Sequence, residues 1–190
     1  MILKPQNTHK HLLNFVSKSE SRPLLMGVNV TDEGHLVATD SHVLLRLHNQ
    51  FPAGQPMTFN PKTLKVLAGD YPDTSRLIAT KFEHTFDLSY SQILRVFEFA
   101  KGLKKDTIHI TQKDGALEFR GQESNTAMTL EGISADVNIV LQAVYVKNAF
   151  DFIRDNTMTY VTVGYLGSLR PIVFTREKNF DVLITPIRQK

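Results

Sequence analysis

Cysteine is absent from the 190 residues, which removes disulfide staples, thiolate zinc sites and thiol nucleophiles together. Histidine and carboxylates remain as the strong metal ligands. No apolar run approaches the roughly 18 residues of a membrane-spanning helix, and Met1-Ile2-Leu3-Lys4 lacks the long apolar core of a signal peptide. A cytoplasmic protein without a membrane partner is expected. Glycine is not arranged as a phosphate-binding loop or a dinucleotide fingerprint, which argues against ATP-driven work. Ser41 beside His42 is no catalytic pair, because neighbours in an extended segment point to opposite faces and no nucleophile-elbow glycines flank the serine. No cofactor, metal or catalytic residue is expected, and the chain reads as no enzyme.

What is present is ordinary for a folded protein. Hydrophobic residues make up 42% and charged residues 22%, and a chain of this length buries roughly 70% of its unfolded surface as one large or two small domains. The net charge of +3 permits contact with nucleic acid without requiring it.

Four segments carry apolar residues at helical spacing, and the rest reads as short alternating strands, so the fold class is α+β. The first helix is expected from about Thr8 to Lys18, capped by Asn7 or Thr8, with Leu12, Leu13 and Val16 inward. A second, short one follows the Asn60-Pro61 cap, with Leu64, Leu67 and Ala68 as its stripe and Gly69 as its stop. The third runs from about Ser89 to Leu103 with Ile93, Val96, Phe97, Ala100 and Leu103 inward. The fourth spans about Val146 to Arg154, burying Val146, Ala149, Phe150 and Ile153, with Lys147 and Asp151 at pairing distance on a charged outer face.

Between the helices the period falls to two: Val28 and Val30, Ile108 and Ile110, Leu117 and Phe119, Met128 and Leu130, Val161 and Val163, Ile172 and Phe174, Val182 and Ile184. Glu33-Gly34, Asp114-Gly115 and Lys178-Asn179 are tight-turn signals. From Phe82 onward the order strand, helix, three strands occurs twice, an internal duplication of a βαβββ unit. Residues 81–190 therefore read as a complete domain and residues 1–80 as an abbreviated one that begins the same way.

On the four expected helices stand Lys10, Lys18, Lys62, Lys65, Arg95, Lys101, Lys104, Lys105, Lys147 and Arg154 against Glu98 and Asp151. That excess of +8 leaves −5 for the remainder of a +3 chain. If the sheets pack on the inner helix faces, the outer faces form one basic surface for the double-stranded DNA backbone. Without aromatic interleaving, contact is to phosphates and indifferent to sequence. A lysine-rich face is also what any solvated helix presents.

Three segments resemble the bacterial DNA sliding clamp, the DNA polymerase III beta subunit family, in order and spacing. The first is Arg22-Pro23-Leu24-Leu25-Met26-Gly27 with Leu36-Val37-Ala38-Thr39-Asp40-Ser41-His42-Val43-Leu44, similar to the start of the clamp's middle domain. Ser41 and Val43 stand where that pattern has glycine and arginine. The second, Tyr71-Pro72-Asp73-Thr74-Ser75-Arg76-Leu77-Ile78, resembles the connector to the last domain, and the third, Leu183-Ile184-Thr185-Pro186-Ile187-Arg188, the C-terminal strand. The resemblance covers nearly the whole chain as the last two of three domains, in a shortened, divergent form.

It implies a DNA-clamp fold with helices on one face of antiparallel sheets, and a DNA processivity factor in replication. It also implies an interdomain pocket where polymerases and clamp loaders insert a linear peptide. Carried over, that pocket is Leu25, Thr39, Ser41, His42, Val43, Leu44, Pro72, Arg76, Leu77, Leu183, Thr185, Pro186, Ile187 and Arg188. The same apolar residues could merely seal a domain junction. Clamps enclose DNA with six domains, so a two-domain chain would take three copies, a homotrimer joined head to tail. An adaptor that binds the peptide without encircling DNA is the alternative. A further rival is a metal-dependent hydrolase built on Asp32, His35, Asp40 and His42, although turn polarity accounts for all four.

Overall fold

The computed structural model describes residues 5–79 and 81–188, without the side chains of Pro5, Gln6, Asn7 and His9. Met1-Ile2-Leu3-Lys4 and the capping role of Asn7 lie outside the described residues. The chain divides into two compact units, Met1–Ile78 with Thr175–Leu183, and Ala79–Phe174 with Ile184–Lys190.

The first unit opens with helix α1 (Pro5–Phe15), which starts earlier and ends sooner than expected, so Thr8 lies within it rather than capping it. Proline suits the first turn of a helix. The other end is set by Ser17, whose amide donates to the Leu25 carbonyl at 2.7 Å and draws the chain out of helical geometry. Strands β1 (Val28–Val30), β2 (Leu36–Thr39), β3 (Val43–Leu47), β4 (Met57–Phe59) and β5 (Val66–Leu67) follow. They form an antiparallel array in the order β5-β4-β1-β2-β3. Phe15, Val28, Val30, Ala38, Leu45 and Leu47 make its core, each with no measurable exposure. At the expected Glu33-Gly34 turn, Gly34 has φ +80° and an added Cβ would lie 2.0 Å from the Phe51 carbonyl oxygen, so only glycine fits.

The helix expected after Asn60-Pro61 does not form. Asn60 does cap a turn: its side-chain oxygen accepts from the Lys62 and Thr63 amides at 2.9 and 3.2 Å, and its carbonyl from Leu64 at 2.8 Å. Leu64 then takes φ +58°, and the Asn60 amide donates to the Lys65 carbonyl, so the chain returns as β5 after a single turn. Leu64 and Val66 are exposed. The stripe of Leu64, Leu67 and Ala68 had no helix partner to bury it, and a lone short helix is not self-supporting.

After residue 78 the chain carries β6 (His84–Ser89), α2 (Tyr90–Leu103), β7 (Thr107–Lys113), β8 (Ala116–Gly121) and β9 (Ala127–Glu131), and then β10 (Asn138–Gln142), α3 (Ala143–Asn156), β11 (Tyr160–Tyr165), β12 (Ile172–Arg176) and β13 (Phe180–Ile184). The twofold βαβββ order is thus present. Each repeat lends its first strand to the other: β10 pairs with β7, and β6 with β11. Helices α2 and α3 pack on each other. β13 is grouped through Leu183 with the first unit, where it lies beside β3.

The two helix faces are those the periodicity foretold. Ile93, Val96, Phe97, Ala100 and Leu103 are buried on α2, and Val146, Ala149, Phe150 and Ile153 on α3. Ser89 caps α2 in a reciprocal box, its amide donating to Gln92 Oε1 at 2.9 Å while Gln92 N donates to Ser89 Oγ at 3.4 Å. α3 begins three residues before the expected Val146. Asp114-Gly115 is a tight turn with both residues at positive φ.

Candidate docking cleft and charged surface

The β2–β3 turn is tied by its own side chains. Asp40 Oδ1 accepts from the His42 and Val43 amides at 2.8 and 3.0 Å, and Thr39 Oγ1 donates to the Val43 carbonyl at 2.7 Å while accepting from the Ser41 amide. These bonds force Ser41 to φ +84°, a region that favours glycine. The Ser41 hydroxyl is left over from the turn, and Arg22 Nη1 donates to it at 2.8 Å.

That contact closes one side of a surface cleft of about 340 Å³ lined by Arg22, Pro23, Leu24, Leu25, Ser41 and Pro72. Pro23 starts a 3-10 turn, Pro23–Met26, which ends where Gly27 N donates to the Leu24 carbonyl. The turn holds two leucines side by side on a short, stiff piece of chain. Next to Pro72, burial pushes the Tyr71 phenol pKa up.

Of the residues expected to form a pocket, the cleft gathers Leu25, Ser41 and Pro72, all in the first unit. It adds Arg22, Pro23 and Leu24, whose only sequence signal was their place in the Arg22–Gly27 segment. Thr39 is buried in turn hydrogen bonds, and Val43, Leu44 and Leu183 are buried, offering no surface to a ligand. His42, Arg76 and Leu77 are exposed in the same unit, Arg76 lying 3.9 Å from Asp73. Thr185, Pro186 and Ile187 are half-buried and Arg188 is exposed; they belong to the second unit, where Ile187 N donates to the Val140 carbonyl at 2.8 Å and extends the β10 edge.

The helix charge is smaller than the sequence suggested. α1, α2 and α3 carry Lys10, Arg95, Lys101, Lys147 and Arg154 against Glu98, Asp151 and Asp155, a net of +2 rather than +8. Lys18, Lys62 and Lys65 stand outside helices because α1 ends earlier than expected and the short second helix does not form, and Lys104 and Lys105 lie just beyond the end of α2 at Leu103. Much of the helix charge is also paired. Arg154 meets Asp151 at 2.8 Å and Asp155 at 3.4 Å, Lys147 meets Asp151 at 3.8 Å, and Lys101 meets Glu98 at 3.2 Å. Asp151 is buried rather than on an outer face, and the Arg154 guanidinium sits 3.9 Å over the Phe97 ring. Arg95 donates to the Thr129 carbonyl at 2.8 Å.

The four residues of the hydrolase reading do not converge. His35 Nδ1 accepts from the Asn49 amide at 3.1 Å and its ring meets His48 edge-on at 4.9 Å, while Asp40 serves its own turn. Among the described residues no group of three histidines or acids could hold a metal ion. The buried polar centre of this unit is one the sequence did not reveal: Asp181 accepts from Arg46 Nη2 at 2.7 Å, Arg46 Nε at 2.9 Å and Thr175 Oγ1 at 2.7 Å, and bonds His48 Nε2 at 2.8 Å. Burial alone would push the Asp181 carboxyl pKa up, but the bonds from His48 and Thr175 and the Arg46 guanidinium outweigh it and hold the pKa below the usual value. A groove of about 790 Å³ opens over Asn29, Arg46 and Thr58, rimmed by Asp32, Glu33, Asp70 and Asp73. Among the described residues no helix is long and apolar enough to cross a membrane.

Known proteins share this arrangement of strands and helices. The sliding clamp of Bacillus subtilis superposes with a TM-score of 0.78 at 20% identity, over 98% of this chain and 63% of that one. The Helicobacter pylori beta clamp, solved with a DNA ligase peptide bound, gives 0.76 at 14% identity over 96% and 63%. The fold is that of a DNA clamp.

No protein-family model matches the chain, but the beta sliding clamp of Streptococcus pneumoniae is 25% identical over 226 aligned positions, 90% of this chain and 59% of the relative. The chain is a divergent relative of the bacterial beta sliding clamp. It spans about 60% of the length of the relatives it matches. The alignment has more positions than this chain has residues, so the relative carries extra length inside the matched span as well as beyond it.

Proposed function

We propose that the chain is a non-catalytic, clamp-type docking protein of DNA replication, acting in the cytoplasm, whose Arg22–Pro72 cleft receives a short apolar peptide from a DNA polymerase or a clamp loader. The observation that carries this reading is the cleft itself. Two leucines and two prolines form an apolar floor, with one charged side chain at its edge, on a segment that resembles the clamp family's peptide site. A related fold holding a ligase peptide supports it. We further read residues 1–80 as an abbreviated clamp domain and 81–190 as a complete one.

Binding to the double-stranded DNA backbone would rest on Lys62, Lys65, Lys104 and Lys105, which pair with no acid among the described residues. The modest charge on the helices favours a second reading, an adaptor that docks the peptide without encircling DNA. A homotrimeric ring belongs to the first reading and a monomer to the second.

The test is the affinity, by fluorescence anisotropy, of the ligase peptide that the Helicobacter pylori clamp carries. Leu24→Asp is expected to weaken binding at least about tenfold, since it sets a charge in an apolar contact, with an unchanged melting curve because Leu24 is only half-buried. Equal affinity of the folded variant contradicts the assignment.

A further inference from the structure

In the second unit the strand order is β10-β7-β8-β9, and β10 leads directly into α3. That helix turns back over the sheet, so that Val146 and Phe150 lie among Ile110, Leu117 and Phe119. The first unit repeats the order as β4-β1-β2-β3, with β4 antiparallel to β1 as β10 is to β7. There β4 runs into the Asn60 turn and returns as β5, and among the described residues no α-helix lies between β4 and β6.

The missing cover is visible along two cross-strand rows, whose members share a face. Val28 has no measurable exposure, its neighbour Phe59 is half-buried, and the next in the row, Val66, is 69% exposed. Val30 likewise has none and its partner Met57 38%. α1 lies over β2 and β3, at the other end of the array. Leu64, in the turn between β4 and β5, holds φ +58° and is 71% exposed, a strained place for a bulky apolar residue. Single apolar residues on a surface need no explanation, but the outer ends of two adjacent rows form a patch. The patch has charge of one sign: from Met57 to Gly69 the chain holds Lys62 and Lys65 and no acid, and both lysines are exposed.

We propose that the β4–β5 hairpin is a docking shelf for an amphipathic α-helix of a partner protein, apolar on one face and acidic along its edge, in the place that α3 takes in the second unit. The shelf shares no residue with the Arg22–Pro72 cleft, so it stands whether or not that cleft takes a peptide. The helix extends the buried part of both rows out to β5, the way an amphipathic helix lays its apolar face on an apolar surface. Lys62 and Lys65 meet its acids at a solvated rim, so charge decides which helix is chosen more than how tightly it is held.

The experiment uses the full chain and designed 14-residue peptides, the length of α3, with leucines at helical spacing and glutamate, glutamine or lysine at the flanking positions. Fluorescence anisotropy gives their affinities. The glutamate peptide is expected to bind at least about tenfold more tightly than the lysine peptide, with glutamine between them, and the gap narrows as salt rises. Val66→Asp should weaken the glutamate peptide at least about tenfold. Lys62→Glu combined with Lys65→Glu should reverse the order of the three peptides, and Leu24→Asp, in the cleft, should leave it unchanged. Melting curves establish which variants are folded. The charge reversal, confined to exposed residues, carries the test alone where Val66→Asp fails to fold. No binding by any peptide, binding that survives in folded Val66→Asp, or an order indifferent to the lysine reversal overturns the proposal. Loss of binding in Leu24→Asp places the peptides in the cleft and overturns it as well. So does sedimentation in which wild type, but not Val66→Asp, gains mass with concentration, since a second copy of the chain then occupies the shelf.

Discussion

At the scale of single residues, Asp181 is a buried polar centre of the first unit. One carboxylate joins β3, through Arg46 and His48, to the β12–β13 hairpin, through Thr175. Asp181→Asn is expected to cost about 2–3 kcal/mol near neutral pH, because it leaves the guanidinium poorly compensated. The pH dependence has a definite sign. The folded pKa lies below the carboxylate's ordinary 3.8, so this stability is present above that value and is lost as pH falls through the folded pKa. Urea unfolding of wild type and variant should therefore differ most at neutral pH and converge only in strong acid. A gap that stayed constant down to about pH 2 would show that the carboxylate's charge plays no part.

Asp106 behaves in the same way in the second unit. Burial would raise its pKa, but bonds from the Glu123, Ser124 and Thr107 amides and from Ser124 Oγ lower it to about 2. Gly121 leaves room for it, since an added Cβ there would lie 2.7 Å from Asp106 Oδ2. Neither acid announced itself in the sequence, because partners 18 and 135 positions away carry no local periodicity.

At the scale of elements, capping does not separate the helices that form from the one that does not: α3 forms without a side-chain cap, whereas Asn60 caps only a single turn. Ser89→Ala removes an acceptor and half of a reciprocal box at the start of α2, and is expected to cost about 1 kcal/mol by denaturant unfolding. A change within a few tenths of a kcal/mol would mean that packing against α3 alone fixes the helix start.

The inner faces of α2 and α3 were legible because five and four apolar residues recur at helical spacing over a length that tertiary packing can use. The segment after Asn60 had an equally good cap and a stop, yet turns back after one turn. A cap states where a helix could begin, and only burial of its stripe decides whether it continues. The charge argument failed for the same reason. It counted Lys62 and Lys65 on a helix that is absent, placed Lys18 in a helix that ends earlier, included Lys104 and Lys105 although they lie just beyond the end of α2 at Leu103, and stopped α3 just before Asp155. The cleft was half legible: the resemblance found Leu25, Ser41 and Pro72, whereas burial of Val43, Leu44 and Leu183 follows from strand packing that a motif does not encode.

At the scale of the whole chain, the two βαβββ repeats exchange their first strands, so neither repeat has a complete sheet of its own. The clamp fold is thereby fixed by long-range pairing, and its function turns on what the surface offers. If backbone contact depends on Lys62, Lys65, Lys104 and Lys105, duplex binding should be independent of sequence and the slope of log K against log salt no steeper than about −4. Replacing Lys104 and Lys105 with alanine should reduce that slope by about two. A steeper wild-type slope would place other cations, those on the helices among them, against the phosphates. Light scattering with nicked circular DNA bears on assembly, with a species near three subunits expected of a ring and a monomer of an adaptor.

The most direct measurement of the central claim is an amide chemical-shift titration of the isotopically labelled chain with the ligase peptide. Saturable shifts concentrated at Leu24, Leu25 and Ser41, with fast loss of the effect in Leu24→Asp, are the expected result. Saturable shifts confined to other parts of the chain, or none at peptide concentrations that saturate a bacterial clamp, would contradict peptide docking in this cleft.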